Sequence, residues 1–202
     1  MSRTWCLEAC TTYITTTMNR LILASSSPRR KELLNTLGYP FEVIASKADE
    51  AIDEKKPLIE EIKRLSFTKA LTVFKENKDA VVIGADTVVV CEDEVLGKPA
   101  DQADAKRMLK KLSGKSHYVI TAVTIISKSR SETFAKTATV DFCELSDEEI
   151  VRYIATGEPL DKAGAYGIQG YAARFIDKIA GDYYSIIGLP VSALYKKLPA
   201  YL

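Results

Sequence analysis

The stretch Leu21-Ile-Leu-Ala-Ser-Ser-Ser-Pro-Arg-Arg-Lys-Glu-Leu-Leu34 constrains the fold most, because it changes structure type in its middle. Its apolar start predicts a strand over Leu21–Ala24, and its end predicts a helix from Pro28 to Leu37 closed by Gly38. Ser27 suits the N-cap and Pro28 the first helical position, where a missing amide proton has no intrahelical partner to lose. The free amides of a helix start attract anions, and Arg29 and Arg30 add positive charge at that same end. Cations in a first turn oppose the helix dipole, so an anion between them is one reading. A capped surface helix with solvated arginines is the other.

The remaining chain alternates between the two periods. Phe41–Ala45 reads as a strand, and the acidic pair Asp49-Glu50 follows it. From Pro57 to Asn77 apolar residues recur at helical spacing, with Lys69 inside the helix. Ala80–Ile83 is a continuous apolar run, read as a buried central strand that ends at Gly84-Ala-Asp-Thr87. Val88–Cys91 resumes extended structure, and Asp93 and Glu94 form a turn before Gly97-Lys-Pro99. A helix over Asp101–Leu112 stops at Ser113-Gly114. His117–Ser127 and Glu132–Glu144 form a β-branched hairpin. Ser146-Asp-Glu-Glu149 is a capping box opening a helix through Ala155. The block 161–170 is turn-rich, and a strand over Ala173–Ile179 and a helix after Pro190 complete a mixed α/β domain with a long sheet and a cleft.

Composition excludes several classes. A net charge of +1 gives no bulk electrostatic case for nucleic acid or acidic membranes, and no apolar run has the length of a membrane span. His117 is the single histidine, which excludes multi-histidine metal sites and leaves oxygen ligands from Asp and Glu with magnesium or manganese. Four cysteines without a CxxC pair fit a reduced cytoplasmic compartment, with Cys91 and Cys143 as small core residues. Residues 1–19 lack either periodicity and read as an extension outside the fold, with Met18 as an alternative start, so that 20–202 form the domain.

No phosphate-loop GxxxxGK[ST] motif is present, and glycines 164, 167 and 170 do not lie between a strand and a helix as a dinucleotide fingerprint requires. What remains is a charged set. Arg29, Arg30, Lys69, Lys98 and Lys162 supply positive charge, and Asp49, Glu50 and Asp86 can hold a divalent cation. Cations with metal-binding carboxylates suit a polyphosphate, with one carboxylate activating water for attack at phosphorus.

The blocks Ser25-Ser-Ser-Pro-Arg-Arg30, Gly84-Ala-Asp-Thr87, Gly97-Lys-Pro99, Leu112-Ser-Gly114 and Asp161–Gly170 resemble the signatures of the Maf family of nucleoside triphosphate pyrophosphatases. The resemblance implies an inosine-triphosphatase-like (Maf/Ham1) fold: a single domain of two lobes, with an elongated mixed sheet flanked by helices around a deep cleft, often as a dimer. It implies metal-dependent hydrolysis of a nucleoside triphosphate to monophosphate and pyrophosphate, keeping noncanonical nucleotides out of nucleic acids. By motif, Asp86 would be the proton acceptor, with Lys98 beside it in catalysis. Ser25, Arg29, Arg30, Lys69 and Lys162 would bind substrate, and Glu50 and Asp86, with Asp49 as a further ligand, would hold Mg2+ or Mn2+. Arg29, Thr87 and Gln169 fall where the family varies with base, and their identities resemble the dTTP/UTP branch. A glutamine amide both donates and accepts, matching the O4 and N3–H edge of uracil or thymine, which cytosine reverses. The alternative class is a nucleotide-binding regulator of cell division with incidental hydrolysis. Intact Asp49, Glu50, Asp86 and Lys98 favour the enzyme.

Overall fold

The computed structural model describes residues 19–48, 51–53 and 55–202. The expectations on Asp49, Glu50 and residues 1–18 lie outside the described residues. One seven-stranded mixed sheet organises the chain, in the order β2-β1-β3-β5-β6-β7 with β4 on β3. The strands are β1 (Leu21–Ala24), β2 (Glu42–Val43), β3 (Val81–Cys91), β4 (Glu94–Leu96), β5 (Ser116–Ile126), β6 (Ser131–Phe142) and β7 (Ile176–Ala180). The helices are α1 (Pro28–Asn35), α2 (Leu58–Phe74), α3 (Gln102–Leu112), α4 (Asp147–Ile154), α5 (Tyr183–Ile187) and α6 (Val191–Lys197).

Where local chemistry decides, the expected elements form. β1 has the expected bounds, and Ser27 caps α1 by accepting from the Arg30 amide. Asp101 caps α3, and Ser146 and Glu149 form the reciprocal capping box of α4. The differences fall where tertiary contacts decide. Gly84 does not end a strand, because β3 runs unbroken for 11 residues and places Asp86 at its middle. The turn before β4 is Glu92-Asp93, both at positive φ, and Glu94 already belongs to β4. The second strand keeps only Glu42–Val43, and Ala173–Phe175 belong to a 3-10 turn ahead of β7. Cys143 lies past the end of β6 and is exposed, whereas Cys91 is buried in β3 as expected.

The gap that makes the cleft lies on one edge of β3. β5 pairs with β3 from Val82 to Val90 on the other edge. On the near edge β1 covers Leu21–Ala24 against Val81–Gly84, and β4 covers Leu96–Glu94 against Val89–Cys91. No described strand pairs with Ala85–Val88 on that edge. Side chains alternate between the faces of a strand, yet at this opening residues from both faces reach one space. Asp86 belongs to the face covered by α2, and Thr87 to the opposite face.

α2 packs on β3 with a polar layer between two apolar ones. Ile22, Ala24, Ala70, Val73 and Val82 form one cluster, and Ile62, Leu65, Val88, Ile120 and Ala122 another. Between them Ser66 donates to the Lys63 carbonyl and lies 2.9 Å from Thr124 Oγ1, while Lys69 reaches Asp86. Buried polar groups tolerate such a position only when partnered.

His117 belongs to the core. It is buried in β5, edge-on to Phe142 and Tyr166, with Nε2 2.7 Å from Tyr166 Oη and Nδ1 without a partner among the described residues. Burial pushes its pKa down to about 4 from the ordinary 6.5, against a weaker pull from Asp141. A depressed folded value means stability present above pH 6.5 and lost as pH falls toward 4, by up to about 3 kcal/mol. His117→Gln keeps a polar partner for Tyr166 without titrating. Denaturant unfolding at pH 7 and pH 4.5 is therefore expected to show a smaller acid loss in His117→Gln than in the wild type.

Candidate active site

The cleft has a volume of about 710 Å³ and is lined by Ser25–Arg30, Lys69, Asp86, Thr87, Lys98, and much of the 158–170 segment. Among the expected site residues, Ser25, Arg29, Arg30, Lys69, Asp86, Thr87, Lys98, Lys162 and Gln169 all line this one space. They arrive from β1 and α1, α2, the middle of β3, the loop after β4, and the turns after α4.

At the floor, Lys69 Nζ donates to Asp86 Oδ1 at 2.5 Å, with both side chains about nine-tenths buried. Asp86 Oδ2 has no protein partner among the described residues. Asp86 lies within the sheet-edge gap, so a central strand holds the carboxylate and α2 holds its cation.

Arg30 is braced from three elements. Its Nε donates to the Gly188 carbonyl at 2.9 Å, Nη1 to Ser25 Oγ at 3.3 Å and Nη2 to Thr87 Oγ1 at 3.0 Å. Thr121 Oγ1 donates to the Ser185 carbonyl at 2.7 Å, so in the 2.8 Å contact of Thr87 with Thr121 it is Thr87 that donates. A directed chain therefore runs from Arg30 through Thr87 and Thr121 to the Ser185 carbonyl ahead of Gly188. Ser25, buried beneath it, also accepts from the Ser27 amide.

Arg29 and Lys162 meet a carboxylate that sequence reasoning missed. Arg29 Nη1 donates to Asp161 Oδ2 at 2.8 Å across the cleft mouth, and Lys162 Nζ donates to Asp161 Oδ1 at 2.6 Å. Burial works against the Asp161 charge, but the hydrogen bonds from Lys162 and Arg29 hold its carboxyl below the usual carboxylate range. Read locally, Asp161 is one more turn-former in a turn-rich block, and no signal in the sequence pairs it with Arg29. Lys98 is exposed and has no ion-pair partner among the described residues, while the carbonyl before it, Gly97, accepts from the Gly164 amide at 3.0 Å. That bond ties the loop after β4 to the 161–170 block.

No group of three or more metal-ligating side chains occurs among the described residues. Asp86 is the described carboxylate on the floor, surrounded by cations. The arrangement can orient a polyanion over one fixed carboxylate.

A family model described as Maf-like protein matches residues 20–201. A protein of Bacillus cereus named dTTP/UTP pyrophosphatase is 50% identical over 181 residues, covering 90% of this chain and 95% of that relative. One of Bacillus velezensis with the same name is 53% identical over 179 residues, covering 89% and 95%. Among solved structures, the Staphylococcus aureus Ham1 protein superposes with a TM-score of 0.52 at 14% identity, covering 90% of this chain and 98% of that one. At that identity the likeness concerns the fold alone, and it agrees with the expected Maf/Ham1 architecture.

Proposed function

The chain belongs to the Maf-like family, and from that premise we propose that its cleft hydrolyses dTTP and UTP to the monophosphate and pyrophosphate. The observation that carries the reading is the Lys69–Asp86 pair, fixed at the floor of a cleft lined by Arg29, Arg30, Lys98 and Lys162.

In the proposed reaction a water oxygen bonds to the α-phosphorus as the bond to the bridging oxygen breaks, and pyrophosphate leaves. Lys69 holds one oxygen of Asp86, which leaves Oδ2 to receive the water proton. Arg30, held by its brace, presents a fixed guanidinium to the phosphates. Arg29 and Lys162 are paired with Asp161 before substrate arrives. The Asp161 side chain is itself 59% exposed, so in this reading a triphosphate competes with it for both cations. Lys98, which lines the cleft, would neutralise charge on the leaving pyrophosphate.

Magnesium is commonly held by one or two carboxylates together with substrate phosphates and water. Asp86 in a polyphosphate cleft fits that donor set. A bound Mg2+ or Mn2+ would supply charge neutralisation at the phosphate oxygens.

Base preference rests on Gln169, which lines the cleft and whose amide complements uracil and thymine. The test is pyrophosphate release from dTTP, UTP, CTP and GTP with magnesium or manganese. Turnover of dTTP and UTP is expected to exceed that of CTP and GTP by at least about tenfold, the discrimination of one or more lost hydrogen bonds. Equal rates would remove the base assignment. Binding without pyrophosphate release would favour the regulatory reading.

A further inference from the structure

The turn bearing Gln169 is held at both ends by side chains from outside it. The Gly170 amide donates to the Gly167 carbonyl at 3.1 Å, which closes a four-residue turn with Gln169 in its third position. At its start, the Gly167 amide donates to Tyr153 Oη at 3.2 Å. Just past its end, the Tyr171 amide donates to Glu158 Oε2 at 2.9 Å. Tyr153 Oη in turn donates to Glu158 Oε1 at 3.0 Å, so two side chains form one continuous bridge beneath the turn.

The bridge is seated on the glycines. A Cβ on Gly170 would lie 2.4 to 2.5 Å from the Glu158 carboxyl atoms, and one on Gly167 would lie 2.6 and 2.8 Å from Lys162 Cε and Cδ. These glycines make room for a carboxylate and a lysine stem. Tyr153 is 1% exposed, and its ring packs edge-on against Phe175 at 5.4 Å, so a rigid core places the hydroxyl. Burial first, then the Glu158 charge, keeps that hydroxyl protonated and able to donate. Gln169 itself is exposed to the cleft. A turn with one exposed reading side chain and two anchored ends has its direction set by the anchors.

We propose that Tyr153 and Glu158 are positioning residues for base selection, fixing the turn so that the Gln169 amide meets the uracil or thymine edge. The inference rests on the reading of Gln169 given above. Neither residue touches the reacting atoms.

The test measures kcat and KM for UTP and CTP in the full chain carrying Tyr153→Phe, Gln169→Ala, both together, and Glu158→Gln. Gln169→Ala is expected to lower the UTP:CTP ratio of kcat/KM about tenfold, the scale of one hydrogen bond to a base. Tyr153→Phe is expected to lower it about fivefold, mainly through KM for UTP. The double variant should be no less selective than Gln169→Ala alone, because the bridge then has no reader to position. Glu158→Gln, which exchanges one acceptor for a donor, should lower the ratio as well and decides the matter if Tyr153→Phe does not fold. If Gln169→Ala leaves the ratio intact, the base reading fails and the proposal with it. If only Gln169→Ala lowers it, the positioning role alone fails. An equal loss for UTP and CTP in Tyr153→Phe would mark a purely structural residue and overturn the proposal.

Discussion

Asp86→Asn is expected to lower kcat for pyrophosphate release from UTP by about 10³-fold, within the range lost when a general base is removed. The asparagine keeps the shape of the side chain and an oxygen for the Lys69 ammonium, which now lies 2.5 Å from Oδ1. It has no atom that takes a proton from water. The variant also removes a negative charge from the cleft floor, so the triphosphate meets less repulsion. Calorimetric titration is therefore expected to find UTP bound as tightly as in the wild type, or more tightly, by a folded protein. Wild-type turnover in this variant would remove Asp86 from the mechanism.

Gly84→Ala is expected to destabilise the fold by about 3 kcal/mol, roughly 10 °C in Tm for a chain of this size. The new Cβ would lie 2.4 Å from the Ser66 carbonyl oxygen and 2.6 Å from the Ala70 nitrogen. Both are backbone atoms of α2, so relief requires the helix to lift away from β3. Lys69 precedes Ala70 and moves with it, which loosens the ion pair on the floor. Thermal unfolding measures the first effect. Pyrophosphate release well below the transition measures the second, expected to fall at least about tenfold as the pair loses its geometry. An unchanged Tm would mean that α2 can shift without loss.

The contrast between Gly84 and Ser27 shows what was legible in the sequence. Ser27 and Ser146 act through amides three residues away, and the caps they predict are present. Gly84 reads locally as a break, since glycine weakens a strand interior, and so the central strand was expected to end there. In the fold it is the point where a helix backbone passes too close for any side chain. The motif residues converge on one cleft as their chemistry suggested, but their pairing was hidden. Arg29 and Asp161 are 132 positions apart, and no local pattern links them. Tyr153 reads as one apolar position of an amphipathic helix, and Glu158 as the acidic start of a loop. Their bridge exists only once that helix and the glycine turn are packed together. The short helix α5, which carries Ser185, lies in a segment of mixed polarity with too few residues to show a period.

The interrupted edge of β3 has a mechanical consequence. One side of that strand is laced to β5 along nearly its whole length, while the other is gripped only near its two ends. The strand is thus a spine, and the segments after β1 and after β4 are two jaws mounted on it. Asp86 belongs to the spine, whereas Arg29 and Arg30 ride on one jaw and Lys98 on the other. In the proposed reaction the phosphate contacts and the proton acceptor are therefore carried by different parts of the chain. Arg30 joins the two, since its bond to Thr87 anchors a jaw residue to the spine.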